Sequence, residues 1–318
     1  MPRRPVPGMR VTPGPTTARA TWQQEPARAG WRVVASWGLT LALSTVPLIV
    51  IDRATGAVPG WALAAQLAIA AAFTLACLGV RAVRPLWRFG VVMTALVLLT
   101  RVVTIPPLSF PAVQAALGGS AFDRLMQPQQ AERLLVAILM VGVLLLLGFG
   151  VRRSFLLPGD LHARIRPVAA LGFPRADPWT RFGAIWGIGI AVALGVVQFL
   201  IARPSSAALA ALVPLLPSVL VYAGLNAVSE EVTYRAAMLA PLEPAVGSAN
   251  AMWQTAFFFG VAHYYGVPGG LLGATLSIFM GWILSKAMLE TRGLFWPWTI
   301  HFLSDVVIFG FIAMATVG

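Results

Sequence analysis

SAALAALVPLLPSVLVYAGLNAVSEEVTYRAAML, residues 206–239, decides the architecture. Residues 206–229 contain no Asp, Glu, Lys or Arg. A helix rising about 1.5 Å per residue over that length crosses the roughly 30 Å of hydrocarbon in a bilayer. Pro214, Pro217 and Gly224 make a broken pair or one long, kinked helix the expected form of this crossing. The apolar run then ends in Glu230, Glu231 and Arg235. Ionisable side chains at that depth are expensive to keep, so their presence is a functional-site hypothesis in itself.

The rest of the chain is of the same kind. Of 318 residues, 58% are hydrophobic and 11% charged, too oily for a core wrapped in polar surface. Spans are expected at about 31–51, 59–80, 86–105, 132–151, 181–202, 206–239, 249–265, 270–289 and 294–315. The fold class is therefore all-α, a polytopic transmembrane helical bundle of about nine spans. Lipid-facing strands would alternate over about ten residues instead of running continuously apolar. The net charge of +12 comes from arginines set on alternate connections: Arg3 to Arg32 before or at span one, Arg81, Arg84 and Arg88, then Arg152 to Arg181, then Lys286 and Arg292. That placement is the signature of a multi-pass protein of the cell membrane with a cytoplasmic N-terminus, attracted to anionic lipid, and argues against nucleic-acid binding.

Residues 1–30, rich in proline, read as a flexible cytoplasmic extension, and a cleaved export signal is not expected. Residues 31–151 read as N-terminal transmembrane helices concerned with packing more than chemistry. Residues 152–180 read as a basic cytoplasmic or interfacial loop, and residues 181–315, which hold the unusual intramembrane polar residues, as the candidate catalytic membrane core. The single cysteine, Cys77, excludes an intramolecular disulfide and a zinc site built of several thiolates. The halves do not repeat the polar pattern, which weakens a transporter reading based on internal symmetry.

Glu231 and Arg235 stand four residues apart and stack on one helical face as an ion pair. Glu230 is turned about 100° away, outside that pairing, and is suited to take a proton from water and return it to a leaving amine. His263 lies in an apolar, aromatic stretch. His301 and Asp305, again four apart, share a face from which they can orient an imidazole, bind a cation or stabilise an oxyanion. Two chemistries fit. In one, Glu230 activates water against a peptide carbonyl beside His301 and Asp305. In the other, His263, His301 and Glu230 hold Zn²⁺, which acidifies the water, although the His-Glu-x-x-His helix is absent. Ser229 and Ser304 lack a nucleophile-elbow setting. His162, beside Arg164 and Arg166, is a solvent- or lipid-exposed loop residue.

Taken together, Glu230-Glu231 with Arg235, Phe259 with His263, and His301 with Asp305 resemble the CPBP family of intramembrane endopeptidases, also called the CAAX-processing protease, bacteriocin-processing or Abi family. Its pattern is Glu-Glu-x-x-x-Arg, Phe-x-x-x-His and His-x-x-x-Asn/Asp on successive core helices. The resemblance covers about residues 181–315. It implies that Glu230 activates water, that Glu231, Arg235 and Phe259 support it, and that His263, His301 and Asp305 surround the water and the scissile carbonyl. The family's Phe-Arg-Gly is here Tyr234-Arg235-Ala236, which permits less close backbone approach.

The expected function is thus a membrane-embedded endopeptidase, a metalloprotease if the second chemistry holds, acting on a membrane-associated peptide or protein reached from the lipid bilayer. Its cavity is expected to open toward the cytoplasmic leaflet. Trp253, Phe257, Phe258 and Phe259 are expected mainly to pack or face lipid. The alternative is a noncatalytic membrane scaffold or bacteriocin-immunity-like protein; a transporter comes third.

Overall fold

A computed structural model describes residues 30–317. The expected extension at 1–30, with Arg3 to Arg28, falls outside the described residues except for Gly30. The chain from there is all helix and connection: α1 (Gly30–Leu43), α2 (Val46–Thr55), α3 (Ala62–Gly79), α4 (Trp87–Val102), α5 (Pro111–Leu117), α6 (Ala121–Leu146), α7 (Trp179–Ala202), α8 (Ser206–Leu212), α9 (Leu216–Glu230), a π-helical turn (Glu231–Ala236), α10 (Ala237–Val246), α11 (Ser248–Ala262), α12 (Gly270–Thr291) and α13 (Phe295–Ala315).

Among the described residues, seven helical runs are long and apolar enough to cross a membrane, or eight if α1 and α2, bent by 42° at their break, count as one. The quoted stretch belongs to one run, Ser206–Val246. The count differs from nine because residues 249–265 form α11, which has 15 residues and gives way to a 3₁₀ turn at His263. Such a helix rises only about 22 Å, short of the hydrocarbon thickness. It still reverses the chain direction: a Cβ on Gly260 would meet the backbone N of Ile278 at 2.4 Å, and one on Gly281 the Cα of Ala256 at 3.2 Å, so α11 and α12 run antiparallel in close contact. Small residues at such a seam let helices associate by van der Waals packing, where lipid supplies no hydrophobic drive.

The basic connections gather at one end of the bundle. Arg32 Nε donates to Ala82 O at 3.0 Å, Arg88 lies over Phe149, and Arg292 lies over Phe155 while pairing with Glu243 at 2.6 Å. The 152–178 connection is clamped there by the backbone: Asp160 N donates to Thr291 O and Leu294 N to Leu157 O, both at 2.8 Å. A buried ion pair finishes the clamp. Lys286 Nζ lies 2.5 Å from Glu290 Oε1 and donates to Arg166 O, while Glu290 accepts from Arg166 N and Trp179 Nε1. Each charge buried at that end therefore meets its opposite and further hydrogen bonds, the condition under which a buried pair is tolerated.

At the opposite end, α6 starts with a reciprocal cap in which Ser120 Oγ accepts from Asp123 N and Asp123 Oδ2 accepts from Ser120 N. Two tyrosines after His263 are tied to α2, Tyr264 Oη accepting from Arg53 Nε at 2.9 Å and Tyr265 donating to Asp52 at 3.2 Å. The broken first span thus braces the connection that follows His263.

Candidate active site

Three elements deliver the polar residues: the junction of α9 with the π turn brings Glu230, Glu231 and Arg235, the end of α11 brings His263, and α13 brings His301 and Asp305. A π turn widens the helix by one residue and recurs at functional sites. Here it begins between the two glutamates and lets them serve different partners.

Glu231 is fully buried and central to the inner layer. Its Oε2 lies 2.9 Å from Arg235 Nε, the i,i+4 pair expected from the spacing. Its Oε1 accepts a hydrogen bond from His301 Nδ1 at 2.7 Å. A carboxylate accepts and does not donate, so the proton on this edge of His301 sits on Nδ1 and Nε2 faces the cavity. The guanidinium of Arg235 stacks 4.2 Å over the ring of Phe259, and its Nη1 and Nη2 have no hydrogen-bond partner among the described residues. Phe259 is the hub of the cluster, with His263 at 4.5 Å and His301 at 5.7 Å between ring centroids.

Glu230 points elsewhere. Its Oε1 accepts from Arg133 Nη1 at 2.7 Å, and its Oε2 lies 3.7 Å from His301 Nε2. Asp305 Oδ2 stands 3.6 Å from the same Nε2 and accepts from Asn226 Nδ2 at 2.9 Å. Asn226 Oδ1 in turn accepts from Arg133. His263 Nδ1 donates to the carbonyl of Phe259 at 2.9 Å; a carbonyl only accepts, so the lone pair of a neutral His263 is on Nε2.

The structure therefore brings Glu230, His263, His301 and Asp305 to one cavity of about 400 Å³. Its remaining wall is mostly apolar, with Trp186, Ile190 and Val197 from α7, Phe279 and Met280 from α12, and Ile312 from α13. These positions run along α7 and α13 away from the arginine-rich end. Of the four aromatic residues 253 and 257–259, Phe259 lines the cavity, whereas Trp253 is exposed and tilted against Trp282. His162 is exposed on its loop, and the Ser304 hydroxyl is engaged by Ile300 O.

Two residues of the cluster were not expected. Asn226 stands one helical turn before Glu230, a polar residue in an otherwise apolar run, and that position was a usable signal. Arg133 comes from α6, in the region read as packing more than chemistry; it stands where the polar first half of that helix, with Gln129, Gln130 and Glu132, gives way to its apolar second half. His263 and His301 each spend Nδ1 inside the protein and leave Nε2 toward the cavity, an orientation that would also suit a metal ligand. Among the described residues no three His, Cys, Asp or Glu side chains gather as a metal-holding group, so no step below is routed through a metal.

Residues 211–307 match the family described as Type II CAAX prenyl endopeptidase Rce1-like. The match takes in just under a third of the chain and includes Asn226, Glu230, Glu231, Arg235, Phe259, His263, His301 and Asp305, but not Arg133. No curated protein and no solved structure matches the chain.

Proposed function

Starting from the Rce1-like domain that the chain carries over residues 211–307, we infer that the protein is an intramembrane endopeptidase hydrolysing a peptide bond with a water activated by Glu230. The observation that carries this reading is the meeting of a carboxylate, two inward-facing imidazole Nε2 atoms and a mostly apolar cavity large enough for a peptide segment.

Glu230 takes a proton from water held between it and His263 Nε2. The water oxygen bonds to the peptide carbonyl carbon, and the charge on the carbonyl oxygen is met by the protonated form of His301, oriented by Glu231 and backed by Arg235. Asn226 and Asp305 fix the far side of that imidazole. The C–N bond breaks as Glu230 returns the proton to the leaving amine, so one water is consumed and two peptides leave. Proton transfer by a positioned group of this kind is worth about 10²- to 10⁴-fold, and donors aimed at the developing oxyanion a comparable amount. The substrate is a membrane-associated peptide or protein reaching the cavity from lipid; the apolar walls suit a hydrophobic segment or an attached hydrocarbon chain.

The noncatalytic reading is favoured by one contact, the Arg133–Glu230 pair, which engages the proposed base. Cleavage of a lipid-embedded reporter peptide by the purified chain decides between them. Glu230→Gln and His263→Ala are expected to lose about 10²-fold or more in rate, with His162→Ala unchanged and activity retained under chelation. Cleavage that survives Glu230→Gln would sink the mechanism. Loss under chelation that zinc restores would move the water onto a metal.

A further inference from the structure

Glu230 and Arg133 line two cavities. Besides the apolar one, a second of about 350 Å³ lies among the C-terminal end of α4, α6 and the π turn, walled by Thr100, Gln129, Glu132, Ser229, Thr233 and Tyr234. Its wall is more evenly polar than that of the first, with Val103 and Val136 among its apolar members. Among the described residues the buried Ser229 Oγ has no hydrogen-bond partner, and a space of that size with polar groups on its wall holds on the order of ten waters at about 30 Å³ each. Arg133 sits on a membrane-crossing helix with its side chain 44% exposed, against 13% for Glu230. An arginine on a membrane-spanning segment is tolerated where it faces a water-filled cavity. Its Nη1 reaches both Glu230 and Asn226, so the guanidinium stands as the partition between the two spaces.

Hydrolysis consumes a water for each bond cut, and hydrocarbon around a seated peptide does not supply it. We propose, on the hydrolytic reading of Glu230, that water reaches Glu230 from the polar cavity while the peptide occupies the apolar one, and that Arg133 is the positioning residue that separates them and aims the carboxylate. The two faces of one carboxylate thereby serve two media. Arg133 lies outside residues 211–307, so this arrangement is contributed by the N-terminal helices of the chain.

The chain has a single cysteine, Cys77, and Cys77→Ala gives a thiol-free background. In the full chain reconstituted in liposomes, Thr100→Cys probes the polar cavity and Leu276→Cys the apolar one. A charged, membrane-impermeant methanethiosulfonate is expected to label Thr100→Cys about tenfold or more faster, because a hydrated thiol ionises and reacts while one in hydrocarbon does not; equal or inverted rates overturn the water route regardless of activity. Arg133→Met is expected to lower kcat about tenfold with KM unchanged, as a misaimed catalytic group does, and Arg133→Lys to restore part of it. An unchanged kcat removes Arg133 from the scheme. If the two cysteine variants label as described but the parent chain cleaves no peptide, the hydrolytic reading fails and this proposal with it, whereas cleavage without the labelling difference overturns only the water route.

Discussion

Glu231 links Arg235 to His301, and both contacts are fully buried. Removing one partner of a buried pair leaves an uncompensated charge and costs about 3–5 kcal/mol, whereas replacing both with apolar groups of similar volume is often neutral. Arg235→Met alone is therefore expected to lower the thermal midpoint in detergent sharply, and the double substitution Glu231→Leu with Arg235→Met to recover much of it. The double variant is still expected to lose about 100-fold in cleavage, since His301 then has no orienting carboxylate and a misplacement near 1 Å costs that much. A double variant cleaving at the parent rate would show that Glu231 and Arg235 serve stability alone.

Among the elements, the seam between α11 and α12 controls where His263 sits. A Cβ at Gly260 would fall 2.4 Å from the N and 2.5 Å from the Cα of Ile278, both backbone atoms that no rotamer change moves away. Gly260→Ala is expected to cost about 1–3 kcal/mol by overpacking and to reduce cleavage by displacing α11. Gly142→Ala, where a Cβ meets nothing within 4 Å, is the control, expected to be neutral or slightly stabilising because Ala suits a helix interior better. Equal midpoints for the two variants in detergent unfolding would refute the tight seam. The shortness of α11 belongs to the same scale: its apolar composition continues beyond His263, but Gly266, Pro268, Gly269 and Gly270 end the helix there, and composition alone had lengthened it into a span.

For the molecule as a whole, the arginine-rich end formed by the connections around 80–86, 147–178 and 292–294 is expected to face the cytoplasm by the positive-inside rule. In the Cys77→Ala background, a thiol at the exposed Arg175 (Arg175→Cys) should react with impermeant reagent only after cells are opened, and one at exposed Val58 (Val58→Cys) without opening; the reverse pattern inverts the protein. Much of this molecule was legible in one dimension. Continuous apolar runs require helices in lipid, because no water is present there to satisfy backbone groups, and the four-residue spacings of Glu231 with Arg235 and His301 with Asp305 place each pair on one face. The partners were not legible. Arg133 and Asn226 join the cluster because α6 packs on α9, across 93 residues of chain, and Glu231 meets His301 across 70. Local periodicity determines which face of each helix is polar, but which polar faces converge depends on helix crossings set by close-packed side chains far apart in sequence. Thus the chain by itself determined a membrane helical bundle with a Glu, His and Asp chemistry, while tertiary packing alone decided that Glu230 would look toward Arg133 and two cavities and Glu231 toward Arg235 and His301.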